Sequence, residues 1–215
     1  DRLLSLLSDA EGLTRFAVPG ARRPKSSLAA AAPLTLLELQ VGGRSGLGRV
    51  RQLRVLRSFS RLGQRLETLS AAQALCDLCL QLAADDPVNG LLSTVLLHLE
   101  RLESHADDAD LVLAGTVQAS IHLLTLGGYG LPMQTCCRSG APLDAPLGQW
   151  DWRCSLLPED GFAIDSQPNS AIELNPSELA LLQRLVRADL PRRQDGELMG
   201  PQRVWLRLLR VVELW

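Results

Sequence analysis

A chain of 215 residues, 46% hydrophobic and 21% charged, is a globular, soluble class with material for one large domain or two to three small ones, which excludes a chain short of core. Five cysteines, Cys76, Cys79, Cys136, Cys137 and Cys154, are too few and odd in number for a secreted disulfide scaffold and read as reduced, cytosolic thiols. Net charge is only −2, yet residues 1–70 hold twelve Arg and Lys against five Asp and Glu, a net +7, while the remainder carries −9; that asymmetry points to a polyanionic partner for the basic part.

The apolar pattern is already under way at Leu3, Leu4, Leu6 and Leu7, and the expectation is a fragment whose true start lies upstream. Arg2 to Ser8 and Gly12 to Val18 are apolar-rich and joined by Ser8-Asp9-Ala10-Glu11-Gly12, a turn composition that predicts a β-hairpin. Pro33 to Val41 alternates like a strand with one slip, read as a bulge. Gly42-Gly43-Arg44-Ser45-Gly46 is a turn, and Leu47 to Leu56 is a second slipped strand that turns most of Arg49, Arg51 and Arg54 to solvent. Short strands, Gly-rich turns and a cationic side predict a small barrel of the five-stranded OB type.

The richest local cluster of charge is Val18-Pro19-Gly20-Ala21-Arg22-Arg23-Pro24-Lys25-Ser26-Ser27. Pro24 fixes its own φ and holds Arg23 extended, so Arg22, Arg23 and Lys25 splay outward as phosphate-contacting side chains do. With Arg15, Arg44, Arg49, Arg51 and Arg54 they form the predicted nucleic-acid-binding set. Nearly all are arginine, the side chain suited to bidentate phosphate contact. Residues 1–70 contain only Phe16 and Phe59 as aromatics, so grip through charge and backbone is expected ahead of base stacking, with little sequence preference.

Beyond Ser60 the apolar period changes from two to about 3.6. Ser70-Ala71-Ala72-Gln73 predicts a capping box ahead of Leu75, Leu78, Cys79 and Leu82, and Asp86-Pro87 predicts an N-cap with Pro at the first helical position. Asp107 to Asp110 opens a third helix, Leu111 to about Leu126, stopped by Gly127-Gly128. Leu111 to Cys137 is a run of 27 residues without Asp, Glu, Lys or Arg, long enough to raise a membrane span. Its Thr, Gln, Ser, His and Gly content favours the buried centre of a helical bundle instead. From Leu131 to Ser170 prolines and glycines break any helix; a loop-and-strand insert is expected, with an edge strand at Trp150-Asp151-Trp152. Asn175-Pro176-Ser177-Glu178 and Gly200-Pro201 open two further helices.

No Gly-x-x-x-x-Gly-Lys-Ser/Thr loop is present. His98, His105 and His122 lie on or just after helices as satisfied helical histidines, and no nucleophile, base and orienter come together. A non-enzymatic role without a cofactor is expected.

Asp1-Arg2-Leu3-Leu4 through Asp9-Ala10-Glu11-Gly12, the loop Pro19 to Ser26, Pro33-Leu34-Thr35-Leu36-Leu37-Glu38-Leu39, and Leu124-Thr125-Leu126-Gly127-Gly128-Tyr129-Gly130 before the Cys136 region follow one another in an order that sets the chain beside a known family. In these residues the chain resembles the RecO family of bacterial DNA repair and recombination mediators. The resemblance implies an α+β multidomain chain: an OB-fold domain over 1–66, a helical domain over 67–131 and 171–215, and a zinc-ribbon-like insert over 132–170. It also implies binding and annealing of single- and double-stranded DNA, and work with RecR to load RecA onto DNA covered by single-strand-binding protein, in the bacterial cytoplasm at the nucleoid. The acidic, apolar-tipped tail of single-strand-binding protein is implied to meet the helical domain in a pocket with an apolar floor and a cationic rim. Arg101, Arg184, Arg187, Arg192, Arg193, Arg203, Arg207 and Arg210 are the cations available for that rim. The metal site departs from the family. Many relatives carry Cys-x-x-Cys-Gly and a second cysteine pair, whereas here Ser139 of Cys136-Cys137-Arg138-Ser139-Gly140 stands at the second ligand position and Phe162 to Gln167 holds no cysteine. Cys136 alone matches, and no bound metal is expected. The other reading, in which the barrel is only a scaffold, is a protein-interaction adaptor acting through the helical domain.

Overall fold

A computed structural model describes residues 1–215 apart from 24, 25, 44–46 and 85. The chain is a mixed α+β protein and divides into two compact units, Asp1–Ala106 and Asp107–Trp215. In the first, β1 (Arg2–Ser8) and β2 (Gly12–Val18) form the expected hairpin, paired in register from Arg2↔Val18 to Ser8↔Gly12. A second hairpin, β3 (Thr35–Gly42) and β4 (Gly48–Ser58), joins it through a short parallel contact, Phe16↔Gly48 and Ala17↔Arg49, giving the order β1-β2-β4-β3.

The slips in the alternation are bulges. Leu36 and Leu37 pair with Arg57 and Val55, leaving Leu56 over; Gln40 and Val41 pair with Gln52 and Val50, leaving Arg51 over. The extra residue at Arg51 resets the pleat, so Val50 and Leu53, three apart, both reach the core made by Val18, Ala21, Leu28 and Ala31.

Two helical starts differ from the sequence expectation. A 3-10 turn over Ser60–Gln64 leads directly into α1 (Leu66–Leu82), four residues ahead of the expected Ser70 cap. The buried Thr68 hydroxyl donates to the Leu62 and Arg65 carbonyls, 2.7 and 3.2 Å away, and fastens that earlier turn, so Ser70 lies inside the helix. Likewise α2 (Leu91–Ser104) begins past Asp86-Pro87: Gly90, at φ +79°, turns the chain in a left-handed conformation that glycine adopts without a Cβ clash, and its carbonyl accepts the Thr94 N–H at 3.0 Å. α1 packs on α2.

In the second unit α3 (Ala109–Leu126) is capped by Asp108, whose carboxylate accepts the Asp110 and Leu111 N–H groups, and ends at Gly127. α3 is long and apolar enough to cross a membrane by length and composition. Its polar side chains find protein partners: the Thr116, Ser120 and Thr125 hydroxyls donate to carbonyls of their own helix, and Gln118 Nε2 donates to the Arg187 carbonyl at 2.9 Å. A three-stranded sheet, β6-β5-β7 (Gly161–Ile164, Cys154–Leu157, Ile172–Leu174), follows. The expected edge strand at Trp150-Asp151-Trp152 is instead a turn, because the Trp152 N–H bonds the Gln149 carbonyl and Arg153 Nη1 holds the Trp150 and Trp152 carbonyls. α4 (Pro176–Arg184) has the full capping box of Asn175 and Glu178, and α5 (Gln202–Leu214) follows Pro201. Ala114, Val117 and Ile121 of α3, Leu156 and Phe162 of the small sheet, Leu179 and Leu182 of α4 and Trp205 and Leu208 of α5 share one core.

Candidate nucleic-acid interface

Register fixes which side of the four-stranded sheet each arginine takes. Residues directly opposite in a pair share a face, and faces alternate along a strand. Leu4 opposes Phe16 and Leu39 opposes Leu53, and all four pack on the core. The other face therefore carries Arg15 opposite Ser5, Arg49 opposite Ala17, Gln52 opposite Gln40 and Arg54 opposite Glu38. All three arginines are exposed. Arg51, at the bulge, is exposed too and its guanidinium lies over Gly42 of β3, where a Cβ would sit 2.2 Å from its Nε.

Arg22 and Arg23 are exposed on the turn that leaves β2 at its Val18 end, the end at which Arg49 pairs with Ala17. Ala21 anchors the turn in the core, and the Arg23 N–H donates to the Gly20 carbonyl at 2.9 Å. Lys25 and Arg44 lie outside the described residues. Among the described residues Arg15, Arg22, Arg23, Arg49 and Arg51 have no ion-pair partner; Arg54 Nε meets Glu38 at 2.8 Å, with both side chains more than half exposed. Neither aromatic is presented for stacking, since Phe59 is buried and Phe16 packs against Gly48 and the core.

Arg57, outside the predicted set, pairs with Glu100 and, at 3.5 Å, with Glu103 of α2, and lies 4.7 Å over the Phe59 ring. Its i+3 spacing from Arg54 along a cationic strand gave no sign that it ties the sheet to a helix.

On the second unit, Arg184, Arg187 and Arg192 line a cavity of about 320 Å³ with Ala188, Leu190, Pro191 and one carboxylate, Asp189. Arg184 Nη1 contacts Met199 Sδ and Arg192 Nη1 donates to the Gly196 carbonyl at 2.7 Å; none of the three has a carboxylate partner among the described residues. Of the other cations considered for the rim, Arg207 is bound to Glu178 at 2.7 Å and Arg210 to Glu213 at 3.0 Å.

The cysteine loop keeps its sulfur chemistry without a ligand set for zinc. Burial pushes the Cys136 thiol up, but the Ser139 side chain and the Ile164, Ser139 and Arg138 N–H groups donate to the sulfur and bring it down to about 7. Ser139 thus serves Cys136 as a hydrogen-bond donor. Burial, with Cys136 and Cys137 nearby, pushes Cys154 up to about 12. Among the described residues no three His, Cys, Asp or Glu side chains are grouped to hold a metal, and this donor set does not fit zinc. His105 Nδ1 and His122 Nε2 each lie 2.8 Å from a backbone carbonyl, those of Arg101 and Leu185.

Comparison with known sequences decides the family. Residues 1–59 match the family described as Recombination protein O N terminal, and residues 63–215 match Recombination protein O C terminal. The chain belongs to the RecO family. It is 82% identical over 215 residues to the DNA repair protein RecO of Synechococcus sp. strain CC9605, covering all of this chain and 84% of that protein. To the DNA repair protein RecO of Parasynechococcus marenigrum strain WH8102 it is 76% identical, covering all of this chain and 80% of the relative. A more distant RecO, from Cyanothece sp. strain PCC 7425, is 33% identical over 181 residues, or 83% of this chain and 61% of the relative. RecO membership places the chain in DNA repair and recombination.

Proposed function

We propose that this RecO chain is a non-enzymatic mediator that binds single- and double-stranded DNA on the open face of its four-stranded sheet, anneals complementary strands and, with RecR, helps load RecA onto DNA covered by single-strand-binding protein. The observation that carries this reading is the gathering of Arg15, Arg49 and Arg51, with Arg22 and Arg23 at the adjoining sheet end, as exposed guanidiniums without ion-pair partners among the described residues. Unpaired arginine is available for phosphate, and each phosphate neutralised releases condensed counterions. The parallel β2–β4 contact between two hairpins is the kind of closure a Greek-key barrel uses, which supports an OB fold over 1–66. The small sheet and Cys136 loop over 132–170 are read as a zinc-ribbon-like insert that has lost its metal. The place of action is the bacterial cytoplasm, at the nucleoid.

The acidic, apolar-tipped tail of single-strand-binding protein fits the cavity of Arg184, Arg187 and Arg192, with Leu190 and Pro191 as its apolar wall. Annealing of complementary oligonucleotides, without ATP, tests the central reading: the chain should accelerate it, and Arg15→Ala, Arg49→Ala and Arg51→Ala together should remove most of the acceleration. Full acceleration by a folded triple variant would contradict the assignment of this face.

A further inference from the structure

The loop between Asp144 and Arg153 is built like an anchor. Ala145 and Trp152 at its base pack against the unit's core. Between them the Leu147 N–H donates to the Ala145 carbonyl (2.9 Å), the Gln149 N–H to Pro146 (3.1 Å) and the Trp152 N–H to Gln149 (3.2 Å), while Arg153 Nη1 grips the Trp150 and Trp152 carbonyls at 2.5 and 2.8 Å. That bracing holds Leu147 and Trp150 outward, 68% and 75% exposed. A pre-organised, exposed tryptophan is the residue type that dominates binding energy in protein interfaces, because its large rigid surface costs little entropy to bury.

Charge selects the partner. Asp144 and Asp151 flank the tip, both exposed and without an ion pair among the described residues. Two exposed carboxylates on this loop repel phosphate, so a nucleic-acid strand is disfavoured; a cationic, partly apolar recess is favoured. This chain has such a recess in the cavity where Arg184, Arg187 and Arg192 outnumber the single carboxylate, Asp189, and are backed by Leu190 and Pro191. We propose that the Leu147–Trp150 loop of one copy docks in the Arg184, Arg187 and Arg192 cavity of a second copy. The inference rests on the reading that this cavity takes an acidic, apolar-tipped segment, and it makes the loop an internal competitor for that segment. Knob and cavity are different surfaces, so the contact is heterologous and leaves each end of a pair free to add another copy.

Sedimentation equilibrium of the full chain tests it. The average mass of the unmodified chain should rise with concentration, and a synthetic peptide of aspartates ending in phenylalanine should return it to monomer. Trp150→Ala with Leu147→Ser, and separately Arg184→Ala with Arg187→Ala, should each give monomers. An equimolar mixture of the two variants should form a complex of two chains and nothing larger, since each supplies the half the other lacks; misfolded variants would not complement in this way. A monomer at every concentration, association that survives both variants, or a mixture that stays monomeric would overturn the docking. If the peptide binds a chain that stays monomeric, the docking falls and the reading of the cavity stands. If the mixture pairs but the peptide does not bind, the docking stands and that reading falls.

Discussion

Arginine serves two ends in both units, and on the sheet Arg54 and Arg57 are already paired with Glu38 and with Glu100 and Glu103. On the four-stranded sheet Arg15, Arg49 and Arg51 are exposed and carry no counter-charge among the described residues, whereas in the second unit Arg138, Arg207 and Arg210 are each joined to a carboxylate, Asp160, Glu178 and Glu213. Arg153, Arg193 and Arg203 of the second unit, and Arg184, Arg187 and Arg192 at its cavity, have no carboxylate partner among the described residues. A count of arginines does not separate these uses; pairing does, because a guanidinium already satisfied by a carboxylate must break that bond before it binds phosphate.

The comparison breaks most visibly on the sheet. Replacing Arg15, Arg49 and Arg51 together with alanine should weaken DNA binding on the order of a hundredfold at about 0.1 M salt, with the melting temperature unchanged. The reverse pattern is expected for Arg207→Ala. Glu178 is nearly buried, caps α4 and receives Arg207, which also donates to the Glu173 carbonyl. Removing the half-exposed arginine strands that carboxylate and should cost about 2 kcal/mol in urea denaturation, leaving DNA affinity as it was. A smaller effect sharpens the contrast within the sheet: Glu38→Gln releases Arg54 and removes a negative charge from the face, so DNA should bind about two- to threefold tighter in a titration at low salt, while stability stays level because the pair is exposed.

A separate effect concerns pH. With the Cys136 thiol lowered from 9.0 to about 7 by its hydrogen bonds, the unfolded chain holds a proton there that the folded chain has released. Its contribution to stability is therefore complete above pH 9 and lost as pH falls through about 7. Between those values Cys136→Ser should flatten a rise in unfolding free energy. Above pH 9 the buried Cys79 and Cys154, both raised to about 12, act in the opposite sense and stability should decline.

What could be read from the sequence was what local chemistry decides. Alternation and a turn defined β1 and β2, the slip at Leu36-Leu37 announced a bulge, and Asn175 with Glu178 closes the α4 capping box from four consecutive residues. The starts of α1 and α2 were misplaced because they depend on Thr68 reaching back to Leu62 and on Gly90 reversing the chain, which outweigh a Ser-x-x-Gln pattern and an Asp-Pro pair. The exposure of Arg49 and Arg54 followed from strand pattern. Their sharing of a face with Arg15 required the parallel β2–β4 contact, which no spacing encodes. Nor does spacing show that Arg184, Arg187 and Arg192 converge while Arg207 and Arg210 are occupied.

The most direct measurement is a salt titration of DNA binding by the full chain and by the Arg15→Ala, Arg49→Ala, Arg51→Ala variant. If these guanidiniums neutralise phosphates, the slope of log K against log salt should fall in magnitude by about 2–3 in the variant. An unchanged slope in a folded variant would contradict the assignment of DNA to this sheet face.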